Sequence, residues 1–327
     1  METAQHAVRA RGLGKRYGKS WVLRGFDLEV PSGSVRGILG PNGAGKTTAV
    51  RILTTLLRFD EGSAQVAGYD VATQGAEVRY RIGLVGQHAA VDEILSGRQN
   101  LEMFGRLYHL GARAAKRRAS ELLERFELTG TGKRPVSEYS GGMRRRLDLA
   151  ASMILTPPVL FLDEPTVGLD PRGRGEVWSA VRQLVADGTT VLLTTQYLEE
   201  ADQLADQVSV IDSGSVVAEG SPTELKKRLG GDRLDVVLHD GSDIPSAVAL
   251  VERVTGEPAE VREEVQLISV EVSDRVAALT GVVGALEQQG ITVEDVSLRR
   301  PTLDEVFLHL TGGRGSNEDR EAEVTVR

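Results

Sequence analysis

GPNGAGKT, residues 40–47, decides how the rest of this chain is read. It satisfies G-x-x-x-x-G-K-[ST] in full, follows the apolar run SVRGIL (34–39), and opens a helical pattern in which Val50, Leu53 and Leu57 recur at i, i+3 and i+7. Strand, glycine-rich loop and helix in that order make a phosphate cradle. The glycines let backbone N–H groups wrap an anion, and the helix N-terminus adds positive potential. Gly40, Pro41, Asn42, Gly43, Ala44, Gly45, Lys46, Thr47 and Thr48 are therefore the candidate nucleotide contacts. Lys46 is expected to hold the β- and γ-phosphates and Thr47 to ligate Mg²⁺. A chance glycine-rich turn would not also bring strand, loop and helix into register.

Further stretches extend this reading. VLFLDEP (159–165) is a buried apolar strand that ends in two carboxylates. In P-loop enzymes such an aspartate binds Mg²⁺, which assigns Asp163, and Glu164 can orient and polarise a water. Solvated acids capping a strand are common, but not in the same sheet as a P-loop. YSGGM (139–143) precedes a helix marked by Met143, Leu147, Ala150 and Ile154, so Ser140, Gly141 and Gly142 offer a hydroxyl and bare N–H groups at a helix N-terminus. Alone, SGG is a weak signal. Arg144, Arg145 and Arg146 read as a solvated helix face rather than a nucleic-acid patch. VLLTTQYLEEAD (191–202) runs as a strand into Gln196 and then turns acidic and helical. A glutamine at that tip donates and accepts hydrogen bonds but does not titrate near neutral pH.

The chain has 327 residues, 40% hydrophobic and 26% charged, with a net charge of −8 and no cysteine. This is globular composition with room for two domains. The acidic balance disfavours nucleic acid, and the missing cysteines exclude disulfides and thiolate metal sites. No apolar run approaches the roughly 18–20 residues of a bilayer span, and the N-terminus has no signal-like apolar region. The chain is expected in the cytosol unless another protein holds it at a membrane.

Short strands fill residues 6–39, helices most of 92–155, and strands return at 159–163, 191–195 and 208–212. Asp170 can cap the helix between the first two of these, with Pro171 in its first turn and Gly188 past its end. Alternating strands and helices imply an α/β fold with a mostly parallel sheet covered on both faces. Gly230-Gly231 is the expected boundary to a small C-terminal α+β domain built from LDVVLHD, LISVEV and ITVEDVSL with two helices. A last helix from Pro301 to Leu310 carries Thr302 and Glu305 in capping-box spacing. Residues 312–327 are polar and expected to be disordered.

GPNGAGKTT, Gln87, YSGGM, LFLDEP and VGLD, in that order, resemble the nucleotide-binding domain of ABC transporters over about residues 6–225. The resemblance implies a P-loop RecA-like core with an antiparallel β-subdomain and a helical subdomain at about 88–157, all within residues 1–229, and an accessory domain at 230–311. It also implies a head-to-tail dimer with ATP between one copy's P-loop and the other's SGG motif. By position, Tyr17 matches the aromatic that stacks on adenine. Gln87 matches the glutamine that touches Mg²⁺ and the attacking water, and Asp170 the aspartate that crosses the dimer interface. Two positions depart from the family pattern: Met143 stands where glutamine is usual, and Gln196 where histidine reaches the γ-phosphate. TTQYLEEAD and the late LRRPTLDEVFLHLTG are both similar to the daunorubicin-resistance branch of exporters.

The expected function is thus that of the ATP-hydrolysing subunit of an exporter. It would bind ATP and Mg²⁺ and act on the cytoplasmic membrane face with a second copy and a separate multi-helix permease. Lys46, Glu164 and Gln196 carry the catalysis. A soluble ABC ATPase of translation or DNA repair is the rival, and usually brings two cassettes or a coiled-coil insertion, neither of which is present. An importer ATPase would differ mainly in its partners. A P-loop kinase or GTPase would leave YSGGM unexplained.

Overall fold

The computed structural model describes residues 6–227 and 232–299. They divide into two units between Pro222 and Thr223. In the first, β1 (His6–Tyr17) and β2 (Ser20–Pro31) form a hairpin, and β3 (Val35–Leu39) leads through the glycine-rich loop into α1 (Lys46–Leu53). Then come β4 (Glu61–Val66), β5 (Tyr69–Asp70), α2 (Gly75–Tyr80) and β6 (Ile82–Val85). Helices α3 (Gly97–Leu107), α4 (Ala112–Arg125) and α5 (Gly141–Ser152) follow. The chain returns through β7 (Val159–Asp163), α6 (Pro171–Ala186), β8 (Thr190–Thr195), α7 (Leu198–Leu204), β9 (Gln207–Asp212) and β10 (Ser215–Gly220), and α8 (Pro222–Lys227) begins at the division and runs into the second unit. The short elements β4, β5, α2, β10 and α8 carry too little periodicity to stand out in the sequence.

Two sheets build this unit. One is antiparallel, in the order β2-β1-β4-β5. The other runs β10-β9-β3-β8-β7-β6, parallel from β9 to β6 with β10 antiparallel at its edge. The central strands are buried on both faces. Leu160, Leu162, Val191 and Leu193 join a core with Leu147 of α5 and Val177 of α6, while Val159, Phe161 and Leu192 join another with Val50 of α1 and Phe26 of the hairpin. The period-2 alternation thus feeds two cores from one strand.

Strand order places the chemistry. β8 lies between β3 and β7, with Thr195 opposite Leu39, and Thr194 opposite both Ile38 and Asp163. The P-loop, the Asp163-Glu164 pair and the turn at Gln196 therefore emerge side by side from the carboxyl ends of adjacent strands, where open α/β sheets bind ligands. α6 begins as its sequence implies: Asp170 accepts from the Gly173 amide at 3.2 Å, and Pro171 occupies the first turn.

The second unit orders β11 (Asp232–Leu238), α9 (Ile244–Thr255), β12 (Ala259–Arg262), β13 (Leu267–Val272), α10 (Arg275–Gln288) and β14 (Val293–Arg299). The antiparallel order β12-β13-β11-β14 with this connectivity is a split β-α-β arrangement. Its core joins Leu234, Val236, Ile268 and Val270 to Leu250 of α9 and Leu286 of α10. Gly230-Gly231, the expected helix at 301–310 and the tail 312–327 lie outside the described residues.

Gly62 on β4 tests the antiparallel sheet. Its φ is 90°, and an added Cβ would stand 2.4 Å from the Gly12 carbonyl oxygen and 2.5 Å from that of Arg11. Gly62→Ala is expected to destabilise the protein by about 2 kcal/mol or more, from left-handed strain plus backbone overlap. Its melting temperature should fall by at least about 4 °C, and a drop under about 1 °C would refute this account.

Candidate nucleotide-binding and hydrolytic site

The P-loop is shaped by close approach. At Gly40 a Cβ would stand 2.4 Å from the Ile211 carbonyl oxygen, and Gly45 adopts φ 105° while capping α1. Neither position has room for another residue. The loop encloses Lys46, which is only 4% exposed. Its Nζ donates to the carbonyls of Gly40 at 2.8 Å and Pro41 at 3.0 Å, and lies 3.3 Å from Glu164 Oε1. All the ammonium's partners come from the loop and from the end of β7.

Beside this pair sits an oxygen-rich cluster. Thr47 Oγ1 donates to Asp163 Oδ1 at 3.1 Å, Thr194 Oγ1 donates to the same oxygen at 2.6 Å, and Gln87 Nε2 reaches Thr47 Oγ1 at 3.5 Å. Thr194 was not singled out from the sequence. Its signal was there, in two threonines at the end of a fully buried strand, where a polar side chain needs a partner. Glu164 follows with φ 52°, its amide donating to the Thr194 carbonyl at 3.0 Å.

A cavity of about 440 Å³ opens over these groups, lined by Tyr17, Asn42, Gly43, Lys46, Gln87 and Glu164 among others. Tyr17, from the β1–β2 hairpin, is half exposed at its edge. Gln196 does not line this cavity. It follows Thr195, whose carbonyl accepts from the Gly40 amide at 3.4 Å, and it has no hydrogen-bond partner among the described residues. The turn around it is held from below. Glu200 of α7 is buried and accepts from Thr166 Oγ1 at 2.8 Å and Trp178 Nε1 at 3.2 Å. Burial pushes its carboxyl above the usual carboxylate range, against the opposing donors Thr166, Thr195 and Trp178.

Ser140, Gly141, Gly142 and Asp170 also lie outside the cavity. Ser140 is the exposed cap of α5, accepting from the Met143 amide at 3.2 Å, and Asp170 is the exposed cap of α6. The two helix starts touch through Gly142 and Gly173, where a Cβ on Gly142 would stand 3.2 Å from the Gly173 Cα. The arginine run departs from expectation. Arg144 pairs with Glu93 at the surface, but Arg145 and Arg146 are 7% and 9% exposed. Arg146 reaches the Phe126 carbonyl and Glu176, and Arg145 the carbonyls of Gly86, Glu164 and Pro165. It is not a solvated face: its last two side chains satisfy backbone carbonyls inside the unit.

Similarity to known proteins follows the same division. The ABC transporter family matches residues 23–167, and the family described as ATP-binding protein DrrA1-3-like, C-terminal domain, matches residues 220–311. The chain is 62% identical to the daunorubicin resistance ATP-binding protein DrrA2 of Streptomyces coeruleorubidus, over 97% of this chain and 99% of that one. It is 48% identical to the daunorubicin/doxorubicin resistance ATP-binding protein DrrA of Streptomyces peucetius, over 96% and 95%. Among solved structures, cbiO1 from Clostridium perfringens, part of the ABC transporter complex cbiONQ, superposes with a TM-score of 0.63 at 26% identity, covering 67% of this chain and 90% of that one.

Thr194→Val keeps the shape of β8 and removes the hydroxyl that donates to Asp163. Loss of a hydrogen bond to a charged group should weaken Mg²⁺-dependent nucleotide binding roughly tenfold, or about 1.5 kcal/mol. Titration calorimetry with and without Mg²⁺ checks this, and an unchanged Mg²⁺ effect would remove Thr194 from the site.

Proposed function

The chain belongs to the ATP-binding subunits of ABC transporters, in the daunorubicin-resistance branch, and we propose that it hydrolyses ATP at the Lys46–Glu164 site to drive drug efflux through a separate membrane-spanning partner. The observation that carries this reading is the 3.3 Å ion pair between Lys46 and Glu164 at the cavity wall. The buried ammonium is paired with the carboxylate and donates to two loop carbonyls. A bound triphosphate offers Lys46 a stronger anionic partner, inside a loop whose N–H groups favour phosphate. Glu164 is then released to orient the attacking water and take its proton. Phosphoryl transfer asks the protein mainly for position and charge stabilisation; Lys46 and Gln87 supply these from the cavity wall, and Gln196, outside the cavity here, would join them from the turn after β8 once nucleotide is bound.

The donor set suits Mg²⁺. Thr47, Asp163 and Gln87 offer hard oxygens with one carboxylate, and among the described residues no cluster of three His, Cys, Asp or Glu side chains could hold a metal alone. Mg²⁺ typically binds through one or two carboxylates plus substrate phosphates. When bound, it would neutralise charge on the β- and γ-phosphate oxygens. Tyr17 at the cavity edge presents a ring for the adenine to stack on.

Ser140, Gly141, Gly142 and Asp170 sit at two exposed helix starts away from this cavity. That placement suits a site completed by a second copy, whose α5 N-terminus would face the phosphates. A membrane partner is supported by a cleft of about 550 Å³ lined by Leu56, Tyr80, Ile82, Leu84, Phe104 and Tyr108. Leu56 and Tyr80 are 63% and 60% exposed, and clustered exposed apolar groups mark protein contacts. Among the described residues no helix is long and apolar enough to cross a membrane; in the proposed reading the chain works peripherally on the cytoplasmic face, held by that partner. The net charge of −8 speaks against nucleic acid. Residues from about 230 to 311 act as an accessory domain, since every phosphate motif lies upstream.

Glu164→Gln should leave ATP binding intact and reduce turnover at least about a hundredfold, the lower range of general-base contributions. ATP should then hold the variant as a dimer in light scattering, and a monomer with ATP and Mg²⁺ would count against the composite site. Gln196→Ala should slow turnover roughly ten- to a hundredfold at similar ATP affinity, the loss of one charge-assisted hydrogen bond made in the transition state. Gln196→His should remain active and add an inflection near about pH 6.5, where imidazole titrates. Rates for the three proteins across pH 5.5 to 8.5 read this out, and an alanine variant within about twofold of wild type would make Gln196 structural.

A further inference from the structure

Arg145 stands where three parts of the site meet. It lies on α5, the helix capped by Ser140. Its Nη1 donates to the Gly86 carbonyl at 2.6 Å, its Nε to the Pro165 carbonyl at 2.6 Å, and its Nη2 to the Glu164 carbonyl at 3.0 Å. Gly86 immediately precedes Gln87. The same guanidinium lies 3.5 Å from Asp148, whose Oδ1 accepts from the Ala90 amide at 2.9 Å. One planar fork therefore ties together α5, the turn that carries Gln87 and the end of β7, a geometry that a lysine's single ammonium cannot copy.

Two physical points give this fork a purpose beyond filling space. The first is the backbone it grips. Glu164 is a non-glycine residue at φ 52° followed by proline, a strained conformation that persists only where its surroundings over-determine it. Thr194 fixes its amide from one side, and Arg145 fixes its carbonyl and the next from the other. The second is the expense of the pair. Arg145 and Asp148 are 7% and 4% exposed, and burial lowers the proton affinity of the first and raises that of the second. A buried ion pair is often no more stabilising than apolar residues of the same volume, so its presence points to a positional role.

We infer that Arg145 is a positioning residue for hydrolysis: it holds the Glu164-Pro165 backbone and the Gly86-Gln87 turn at a fixed separation, so that the Glu164 carboxylate and the Gln87 amide bracket the same reacting water. Asp148 anchors the fork. The inference rests on Glu164 being the base. It assigns Arg145 no contact with nucleotide, so the fork should govern the rate of the chemical step and not the affinity for ATP.

The test uses the full-length chain, with ATP affinity, single-turnover rate and melting temperature measured for Arg145→Lys, Arg145→Met, Asp148→Asn and Glu164→Gln, and with the double variant Arg145→Met/Glu164→Gln. Arg145→Met should slow the chemical step about ten- to a hundredfold with ATP affinity held within about twofold. Arg145→Lys should recover less than a third of the wild-type rate, since charge without the fork does not restore geometry. Asp148→Asn, which keeps the Ala90 contact and replaces the carboxylate oxygen that faces Arg145 by an amide NH2, should be slower than wild type by at least about threefold, and it decides the matter if the Arg145 variants do not fold. Because Arg145 acts partly through Glu164 and partly through the Gln87 turn, Arg145→Met should slow the residual rate of Glu164→Gln by clearly less than it slows the wild type. Full-speed Arg145→Lys or Asp148→Asn alongside an inactive Glu164→Gln would overturn the inference and leave the base in place. Equal effects of Arg145→Met with and without Glu164 would also overturn it. Wild-type turnover by Glu164→Gln would instead remove the base itself.

Discussion

A lysine that is only 4% exposed has to be neutralised by its own protein, and the rest of this site is organised around that demand. Lys46 cannot turn to solvent. The loop supplies two carbonyls and the end of β7 supplies Glu164. Each partner of the ammonium is a weaker acceptor than a triphosphate in an N–H cradle, so a phosphate would compete well for it. The charge that must be met inside the loop is the charge that would favour an anion there.

Meeting that demand requires strands in a particular order. If β7 lay next to β3, Glu164 would be close, but no third strand would stand between the loop and the carboxylates. With β8 inserted, Thr194 bonds Asp163 and the Glu164 amide bonds the Thr194 carbonyl, while Thr195 touches Gly40. One strand thus braces both halves of the site through its backbone and its hydroxyls. The antiparallel sheet then needs only to present Tyr17 at the rim, and the helical segment only to carry Arg145 inward.

The legible parts of this molecule were those in which a residue type has one physical use. Glycines at 40, 43 and 45 with a lysine and threonine behind them admit few readings, and the two acids after VLFL gain meaning from the same sheet. Asp170, Pro171 and Gly188 marked a helix at both ends. What was missed depended on tertiary partners. Thr194 looks like any strand threonine until β7 is beside it. Arg145 and Arg146 look like a wet helix face, because burial of an arginine depends on carbonyls brought from residues far along the chain, such as Gly86, Phe126 and Pro165. Strands β4, β5, β10 and β12 are short or lie toward sheet edges, where alternation has few residues in which to express itself.

The turn at Gln196 follows from the same logic. Its side chain has no hydrogen-bond partner among the described residues, yet the backbone around it is constrained. Thr195 is paired into β8, and the Tyr197 amide donates to Thr195 Oγ1 at 2.8 Å. The Tyr197 ring lies beneath the Arg174 guanidinium at 5.0 Å, and Arg174 also donates to the Leu169 carbonyl at 3.2 Å, next to Asp170. Glu200, in the first turn of α7, is locked by Thr166 and Trp178. A side chain on so constrained a backbone has little entropy left to lose when a γ-phosphate arrives, beyond its own rotamers. An amide placed there can donate without first acquiring a proton, so its strength as a donor does not vary with pH across the range where imidazole does. In the proposed role, glutamine in place of a titrating residue would exchange charge for constancy, and the frame of Thr195, Tyr197 and Glu200 would limit how far the backbone that carries this donor can move.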